Sequence, residues 1–130
     1  MEYIMNCYYD LRQSELSISR DNEGRIIGKF RFDNRLSLFQ GHFPGNPILP
    51  GIFQIEMVRY CLEKYLKTSF HLSMVRKTKF SSLIHPDVVV SIEITINQNE
   101  ADIWNVKALV RAADVIAGKA NLTFTRRRLV

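Results

Sequence analysis

The sequence predicts an α+β domain in which one curved antiparallel sheet wraps around a single long central helix. Three observations lead to this fold class. A strong turn signal, Asp21-Asn22-Glu23-Gly24, separates two short strand-like segments. A segment dense in glycine and proline, residues 41–51, is followed by a mostly apolar stretch. The last third of the chain alternates apolar and polar residues between short connections.

The first predicted element is a β-hairpin. A third strand is predicted further along, after the helix. Residues 16–19 and 25–32 form the two strands around the turn. Phe30 and Phe32 share one face of the second strand, because successive side chains of a strand point to opposite faces. Residues 72–80 are the candidate third strand.

The apolar stretch between them predicts a helix from Pro50 to Thr68, roughly 27 Å long at 1.5 Å per residue. Proline is tolerated in the first turn, where its missing N–H would have no helical partner. The first half is apolar on nearly all sides, which is typical of a helix enclosed by other structure. Glu63, Lys64 and Lys67 make the second half more polar, so that end is expected to reach solvent.

Three further strands complete the predicted sheet. Residues 88–98 alternate most clearly, and the apolar positions of one face are Val90, Ile92, Ile94 and Ile96. Residues 103–112 and 116–125 follow, after turns predicted at 97–100 and 113–114. Because both connections are short, neighbouring strands should run antiparallel, which gives one sheet of about five or six strands.

The composition is that of a single globular domain spanning residues 1–130. No apolar run approaches the roughly 20 residues needed to cross a bilayer, and the start of the chain does not resemble a secretory signal. Cys7 and Cys61 lack the spacing of a metal or redox motif, so reduced thiols and a cytoplasmic location are expected. The prediction includes no metal, no other cofactor and no membrane.

The net charge of +5 comes partly from two basic runs, residues 76–79 and 126–128. These runs have two interpretations: solvated strand ends and a tail, or a docking surface for an acidic partner. Nucleic acid is disfavoured, because the basic residues are not interleaved with the aromatic residues that base stacking would require.

Three residues around the helix start predict acid–base chemistry. The N–H of Gly51 would lie at the helix N-terminus, where unpaired donors can stabilise negative charge on a carbonyl oxygen. Glu56 has apolar sequence neighbours, and burial would raise the pKa of its carboxyl until it could donate a proton. His42, in the glycine and proline segment, could accept one. Such a set suits removal of a proton beside a thioester carbonyl and loss of a β-hydroxyl.

Each of these residues also has an ordinary structural interpretation. Alone, His42 is more often a hydrogen-bonded loop residue, and Glu56 a polar residue at the edge of a core helix. Phe43 and Phe53 could line an acyl tunnel or simply pack in the core. The combination at this spacing favours the functional interpretation.

The same residues resemble a known family, the β-hydroxyacyl-(acyl carrier protein) dehydratases of the FabZ and FabA type, which have the hotdog fold. The match is dense over about sixteen residues, which read Gly41-His42-Phe43-Pro44-Gly45-x-Pro47-x-x-Pro50-Gly51 and then Glu56. Elsewhere it is weaker: Lys79-Phe80 with Pro86-Asp87 looks like a second family motif, and residues 117–120 look like its closing strand.

The resemblance implies a role for each matching position. His42 would be the catalytic histidine, Glu56 the catalytic carboxylate, and the Gly51 N–H would bind the thioester carbonyl. Phe43, Ile52, Phe53 and Tyr60 are the further candidate substrate-binding residues. The resemblance also implies a homodimer, or a trimer of such dimers, whose sites combine the histidine of one subunit with the carboxylate of the other. An acyl carrier protein bearing a phosphopantetheine-linked acyl chain would be the partner.

The chain departs from the family pattern at three places. Family members commonly have glutamine where this chain has Tyr60, whose hydroxyl could orient the carboxylate instead. His85-Pro86-Asp87 replaces the usual Pro-Gly-Asp, and the N-terminal segment lacks the common Leu-Pro-His-Arg run. These departures indicate a divergent member, suited to a specialised acyl or polyketide-like pathway.

The leading functional hypothesis is therefore a (3R)-hydroxyacyl-(acyl carrier protein) dehydratase that forms the trans-2-enoyl thioester without isomerising it, as glutamate at position 56 is typical of the FabZ branch. A hotdog thioesterase is an alternative within enzymes, and His42 in the loop argues against it. A non-catalytic protein that binds acyl carrier protein is the other alternative, motivated by Tyr60 and Pro86.

Overall fold

A computed structural model of the chain describes residues 2–36, 39 and 48–126. Within these ranges the chain forms two helices and six strands, which confirms the α+β class and the upper strand count. In chain order the elements are α1 Glu2–Ser14, β1 Glu15–Arg20, β2 Ile26–Arg31, α2 Gly51–Leu66, β3 Phe70–Phe80, β4 Val89–Glu100, β5 Ile103–Ala112 and β6 Val115–Arg126.

All six strands belong to one sheet with the order β1-β2-β4-β5-β6-β3, and every neighbouring pair is antiparallel. The predicted first hairpin is confirmed. One carboxylate oxygen of Asp21 accepts the backbone N–H groups of Glu23 and Arg25 at 2.9 and 2.8 Å, and Gly24 takes the left-handed conformation with φ of 83°. Aspartate favours turns because its side chain bonds the backbone in this way, and glycine because it tolerates positive φ.

The alternation in β4 places its apolar residues in the core, as predicted. Val90, Ile92 and Ile94 are fully buried, and Ile96 is partly buried against the same cluster. Phe30 and Phe32 are buried beside them on the neighbouring segment. The core therefore lies between the inner face of the sheet and helix α2.

Two boundaries differ from the prediction. Helix α2 has 16 residues, so the expected long helix over residues 50–68 is not confirmed. The helix ends because Lys67 adopts a left-handed conformation with φ of 55°. Glycine is the residue usually found in this conformation at a helix end, so a lysine there gave no stop signal in the sequence. Strand β4 runs through the predicted turn to Glu100, and Asp102, with φ of 70°, makes the turn instead.

Helix α1 was not predicted. Its residues are polar on average, so the sequence shows no apolar run, although its apolar positions do recur with helical spacing. Leu11 is fully buried, and the ring of Tyr8 meets the ring of Tyr60 edge-on, with 5.4 Å between centroids. Through this contact α1 packs on α2. Neither helix in the described part of the chain is long and apolar enough to cross a membrane.

Strand β3 ends the sheet order and carries two irregularities. Its pairing with β6 shifts register between Leu72 and Met74 and again between Arg76 and Lys79. Lys77, within the second shift, has φ of 39°. Met74 and Val75 are about half exposed on this edge strand, at 53% and 48%.

Gly28 in β2 is a position where the fold requires glycine because of close packing. A Cβ there would lie 2.6 Å from the Sγ of buried Cys61 and 3.0 Å from Ile92 Cγ2. Gly28→Ala is therefore expected to lower the free energy of unfolding by about 1–3 kcal/mol, measured by urea denaturation. Adding Cys61→Ala should recover part of that loss, because it removes the overlapping sulfur. Strict additivity of the two changes would contradict this account.

Candidate active site

The candidate site is built around the first turn of α2. Pro50 is extended, with φ of −60° and ψ of 143°, and its carbonyl accepts the N–H of Phe53 at 3.0 Å. Leu49 donates its N–H to the carbonyl of Ile84 at 2.7 Å, which ties the incoming chain to the segment after β3. Gly51 is thus the first helical residue, where an N–H has no intrahelical acceptor.

The ring of Phe80, at the end of β3, lies directly over Gly51. A Cβ on Gly51 would stand 2.6 Å from Phe80 Cδ2 and 2.9 Å from Cε2. Phe80 is itself 43% exposed, so the ring covers the helix start from the solvent side. Only glycine at position 51 lets the aromatic ring and the helix N-terminus approach this closely.

Glu56 lies on the outward face of α2 rather than in the core. Its side chain is 26% exposed, and its Oε2 lies 3.5 Å from Nη2 of Arg59. Ile52, one turn earlier on the same face, is 55% exposed. The full burial expected from its apolar sequence neighbours is therefore not seen in the single chain, because Ile55, Met57 and Val58 face the core while Glu56 does not.

Arg59 is a site residue that the sequence reasoning missed. Besides the ion pair with Glu56, its guanidinium stacks over the ring of Tyr8 at 5.8 Å from the centroid. Its Nε is buried with no hydrogen-bond partner among the described residues. The spacing of three residues between Glu56 and Arg59 on a helix is a local signal that could have found this pair.

Tyr60 does not orient Glu56. Its hydroxyl donates a hydrogen bond to Oε1 of Glu15 at 2.6 Å, and the residue is only 1% exposed. Burial, and then the hydrogen bond to the Glu15 carboxylate, raise the pKa of the Tyr60 hydroxyl above its usual range. The suggested replacement of the family glutamine by this hydroxyl is thus not what the structure shows.

Tyr60→Phe should consequently act on stability. Removing the hydroxyl leaves a partly buried carboxylate without this donor, which should lower the free energy of unfolding by about 1–2 kcal/mol. Tyr65→Phe, at a half-buried tyrosine of the same helix, is the matched control and should cost little. Urea denaturation of both variants measures the difference, and equal losses would contradict a specific role for the bond to Glu15.

The remaining predicted residues divide between core, surface and the undescribed part of the chain. Phe53 is fully buried, and its ring packs edge-on against Phe32 with centroids 5.6 Å apart. Ile52 is exposed, as described above. His42 and Phe43 lie outside the described residues, so their proposed roles stay predictions.

A cleft of about 180 Å³ opens beside Gly51. Its wall includes Leu49, Gln54 and Phe80 together with residues 81–83. Gln54 was also missed by the sequence reasoning, although a lone amide within an apolar helical segment was a readable signal. In the described ranges no cluster of three or more His, Cys, Asp or Glu side chains could hold a metal ion.

One antiparallel sheet packed on a helix that begins at glycine and carries a carboxylate five residues later agrees with the resemblance to hotdog-fold dehydratases seen in the sequence. Comparison with known proteins bears this out. The family model for ApeI-like proteins, described as ApeI dehydratase, matches residues 18–119, and the chain belongs to this family.

Two curated relatives agree with this assignment. A 3-hydroxyacyl-(acyl-carrier-protein) dehydratase FabZ of Lactobacillus helveticus is 32% identical over 131 aligned residues, covering 95% of this chain and 88% of the relative. The FabZ of Lactiplantibacillus plantarum is 27% identical with the same coverage of both chains.

Solved structures show the same fold. A chain of the dehydratase heterocomplex ApeI:P from Xenorhabdus doucetiae superposes with a TM-score of 0.74 and 21% identity, covering 86% of this chain and 96% of that one. A hypothetical thioesterase from Streptococcus pneumoniae, solved with coenzyme A, superposes with a TM-score of 0.66 and 12% identity, covering 95% and 96%. At such identities the likeness establishes the hotdog fold alone.

Proposed function

We propose that this protein removes water from (3R)-3-hydroxyacyl thioesters carried on acyl carrier protein and releases the trans-2-enoyl thioester. The observation that carries the proposal is the placement of Gly51 and Glu56 on one helix, with the carboxyl on its open face. Membership of the ApeI-like family and similarity to FabZ dehydratases support the same reaction.

In the proposed reaction, His42, Gly51 and Glu56 each have one role. His42 takes the proton from the carbon next to the carbonyl, and the electron pair moves toward the carbonyl oxygen. The Gly51 N–H stabilises the negative charge that develops there. The electrons then form the carbon–carbon double bond as the bond to the β-hydroxyl breaks, and Glu56 supplies the proton that turns the leaving group into water. Glu56 acts in its protonated form, and the carboxylate that remains after the proton transfer pairs with Arg59, whose Nη2 lies 3.5 Å from Oε2.

The complete site requires a second copy of the chain. The open face of α2 presents an exposed Ile52 beside Glu56, and this apolar surface is suited to cover by a partner subunit. The edge strand β3, with Met74 and Val75 half exposed, offers unpaired backbone groups and apolar side chains to the same partner. We therefore expect a homodimer in which His42 of one subunit faces Glu56 of the other.

The carrier protein would meet a basic surface on β3 and β6. Lys79 and Lys119 are opposite each other in the register of these strands, and Arg76 lies on the same β3 segment. Like charges this close repel one another. An acidic partner would relieve that repulsion and gain attraction at long range.

Mass spectrometry of a panel of 3-hydroxyacyl carrier proteins incubated with the purified protein tests the reaction. Loss of one water from the acyl group is the expected result. A matched panel of saturated acyl carrier proteins, which lack the β-hydroxyl, tests for hydrolysis. Release of free carrier thiol from that panel would indicate a thioesterase, and carrier binding without turnover of either panel would indicate a non-catalytic protein.

A further inference from the structure

Two spaces meet at the side chains of Gln54 and Phe80. The outer space is the cleft of about 180 Å³ beside Gly51. The inner space lies between α2 and strands β5 and β6, and it holds only about 10 Å³. Gln54 and Phe80 line both spaces, so they form the boundary between them.

Gln54 is an unusual residue at this boundary. It is 4% exposed, and its Oε1 is buried without a hydrogen-bond partner among the described residues. That oxygen lies against Gly118 of β6, where a Cβ would overlap it. An unpaired buried carbonyl costs free energy. Its position therefore calls for an explanation beyond packing.

The surroundings of the inner space would otherwise suit an acyl chain. Apart from Gln54, Phe80 and Lys119, its walls carry small or branched apolar side chains, namely Ile55, Val58, Ala108, Val110 and Ala120, and Gly118 adds none. The small residues of β5 and β6 are paired on neighbouring strands, Ala108 with Ala120 and Val110 with Gly118, and the Gln54 side chain lies against them. The volume that remains is about that of a single water molecule.

We infer that Gln54 closes the acyl pocket and restricts this protein to thioesters with short acyl chains. The inference rests on the proposed function, in which the thioester carbonyl binds at Gly51 and the acyl chain enters the adjoining cleft. A short chain ends in the outer cleft. A longer one must enter the inner space, where the bulk of the buried Gln54 side chain blocks its path.

Two substitutions separate the size of Gln54 from its polarity. Gln54→Ala opens the entrance and keeps a good helix former at the position. Gln54→Leu removes the amide but retains a bulky side chain. Gln98→Ala, at an exposed glutamine of β4, is the matched control. Thermal unfolding of all variants verifies that each remains folded.

The measurement is the dissociation constant, by calorimetry, of unreactive pantetheine amides bearing a butanoyl or a decanoyl chain, alongside dehydration of the matching 3-hydroxyacyl thioesters. The natural protein and Gln98→Ala should bind the decanoyl amide at least about tenfold more weakly than the butanoyl amide. Gln54→Ala should abolish that difference, and Gln54→Leu should keep it.

The binding and turnover assays separate failure of this inference from failure of the proposed function. Equal binding of both chains by the natural protein would overturn the inference, as would an unchanged preference in Gln54→Ala or a preference lost equally in Gln54→Leu. Chain-length selectivity in binding without any loss of water would retain the inference and overturn the proposed reaction. Dehydration without chain-length selectivity would support the proposed reaction and overturn the inference about Gln54.

Discussion

Replacing Glu56 by glutamine is expected to lower kcat for dehydration by about two to four orders of magnitude. The amide cannot supply the proton that the departing hydroxyl needs. Because the side chain is partly exposed and has the same shape, the protein should remain folded. Initial rates of enoyl formation measure the loss, and an unchanged melting temperature shows that it is chemical. His42→Ala should be similarly inactive, since the base would be absent.

Mixing these two inactive variants tests the shared site. In a mixed dimer, one site would contain both changes, and the other would combine a natural His42 with a natural Glu56. Unfolding and refolding equal amounts together should therefore restore about one quarter of the natural activity, from half of the dimers with one of two sites each. Refolding each variant alone is the control. No recovery in the mixture would show that each site takes both residues from one chain.

Gly51→Ala is expected to reduce kcat/KM by about tenfold to a hundredfold while leaving stability nearly unchanged. The added methyl group overlaps the Phe80 ring, which must swing aside. Phe80 is exposed enough to move, and alanine is favourable in a helix, so the fold should tolerate the change. The displaced ring and the methyl group would instead obstruct the approach of a carbonyl oxygen to the helix N-terminus.

A second substitution checks that explanation. Phe80→Leu shortens the side chain that Gly51→Ala displaces, so the double variant should recover part of the lost kcat/KM relative to Gly51→Ala alone. Steady-state kinetics of the four proteins in this cycle give the coupling between the two positions. Independent, multiplicative losses would mean that Phe80 plays no part in the effect.

The parts of the fold that could be predicted are those governed by local rules. The turn at residues 21–24 and the alternation through β4 need only neighbouring residues, and both are confirmed. The end of α2 was wrong by two residues, because a lysine rather than a glycine takes the left-handed cap. Helix α1 was missed because its residues are polar on average, although the helical spacing of its apolar positions was a usable local signal.

In the candidate site, too, contacts between residues close in sequence were predictable and long-range contacts were not. The ion pair between Glu56 and Arg59 is local and was readable from the helical spacing. The partner of Tyr60 was not readable, since Glu15 is 45 residues away in sequence and meets it only after folding. The overlap between Phe80 and Gly51 is likewise a long-range contact, and sequence shows only that a glycine is present.

The irregular edge of β3 has a consequence for newly made chains. A long, flat, apolar edge strand invites open-ended pairing and leads to aggregates. Here Lys77 and Lys79 bring charge to the edge, and the two register shifts break its straight run of backbone groups. In the homodimer proposed above, these features would guard an unpaired subunit against indiscriminate association through this edge. Solubility before assembly and selectivity during assembly would then come from the same few residues.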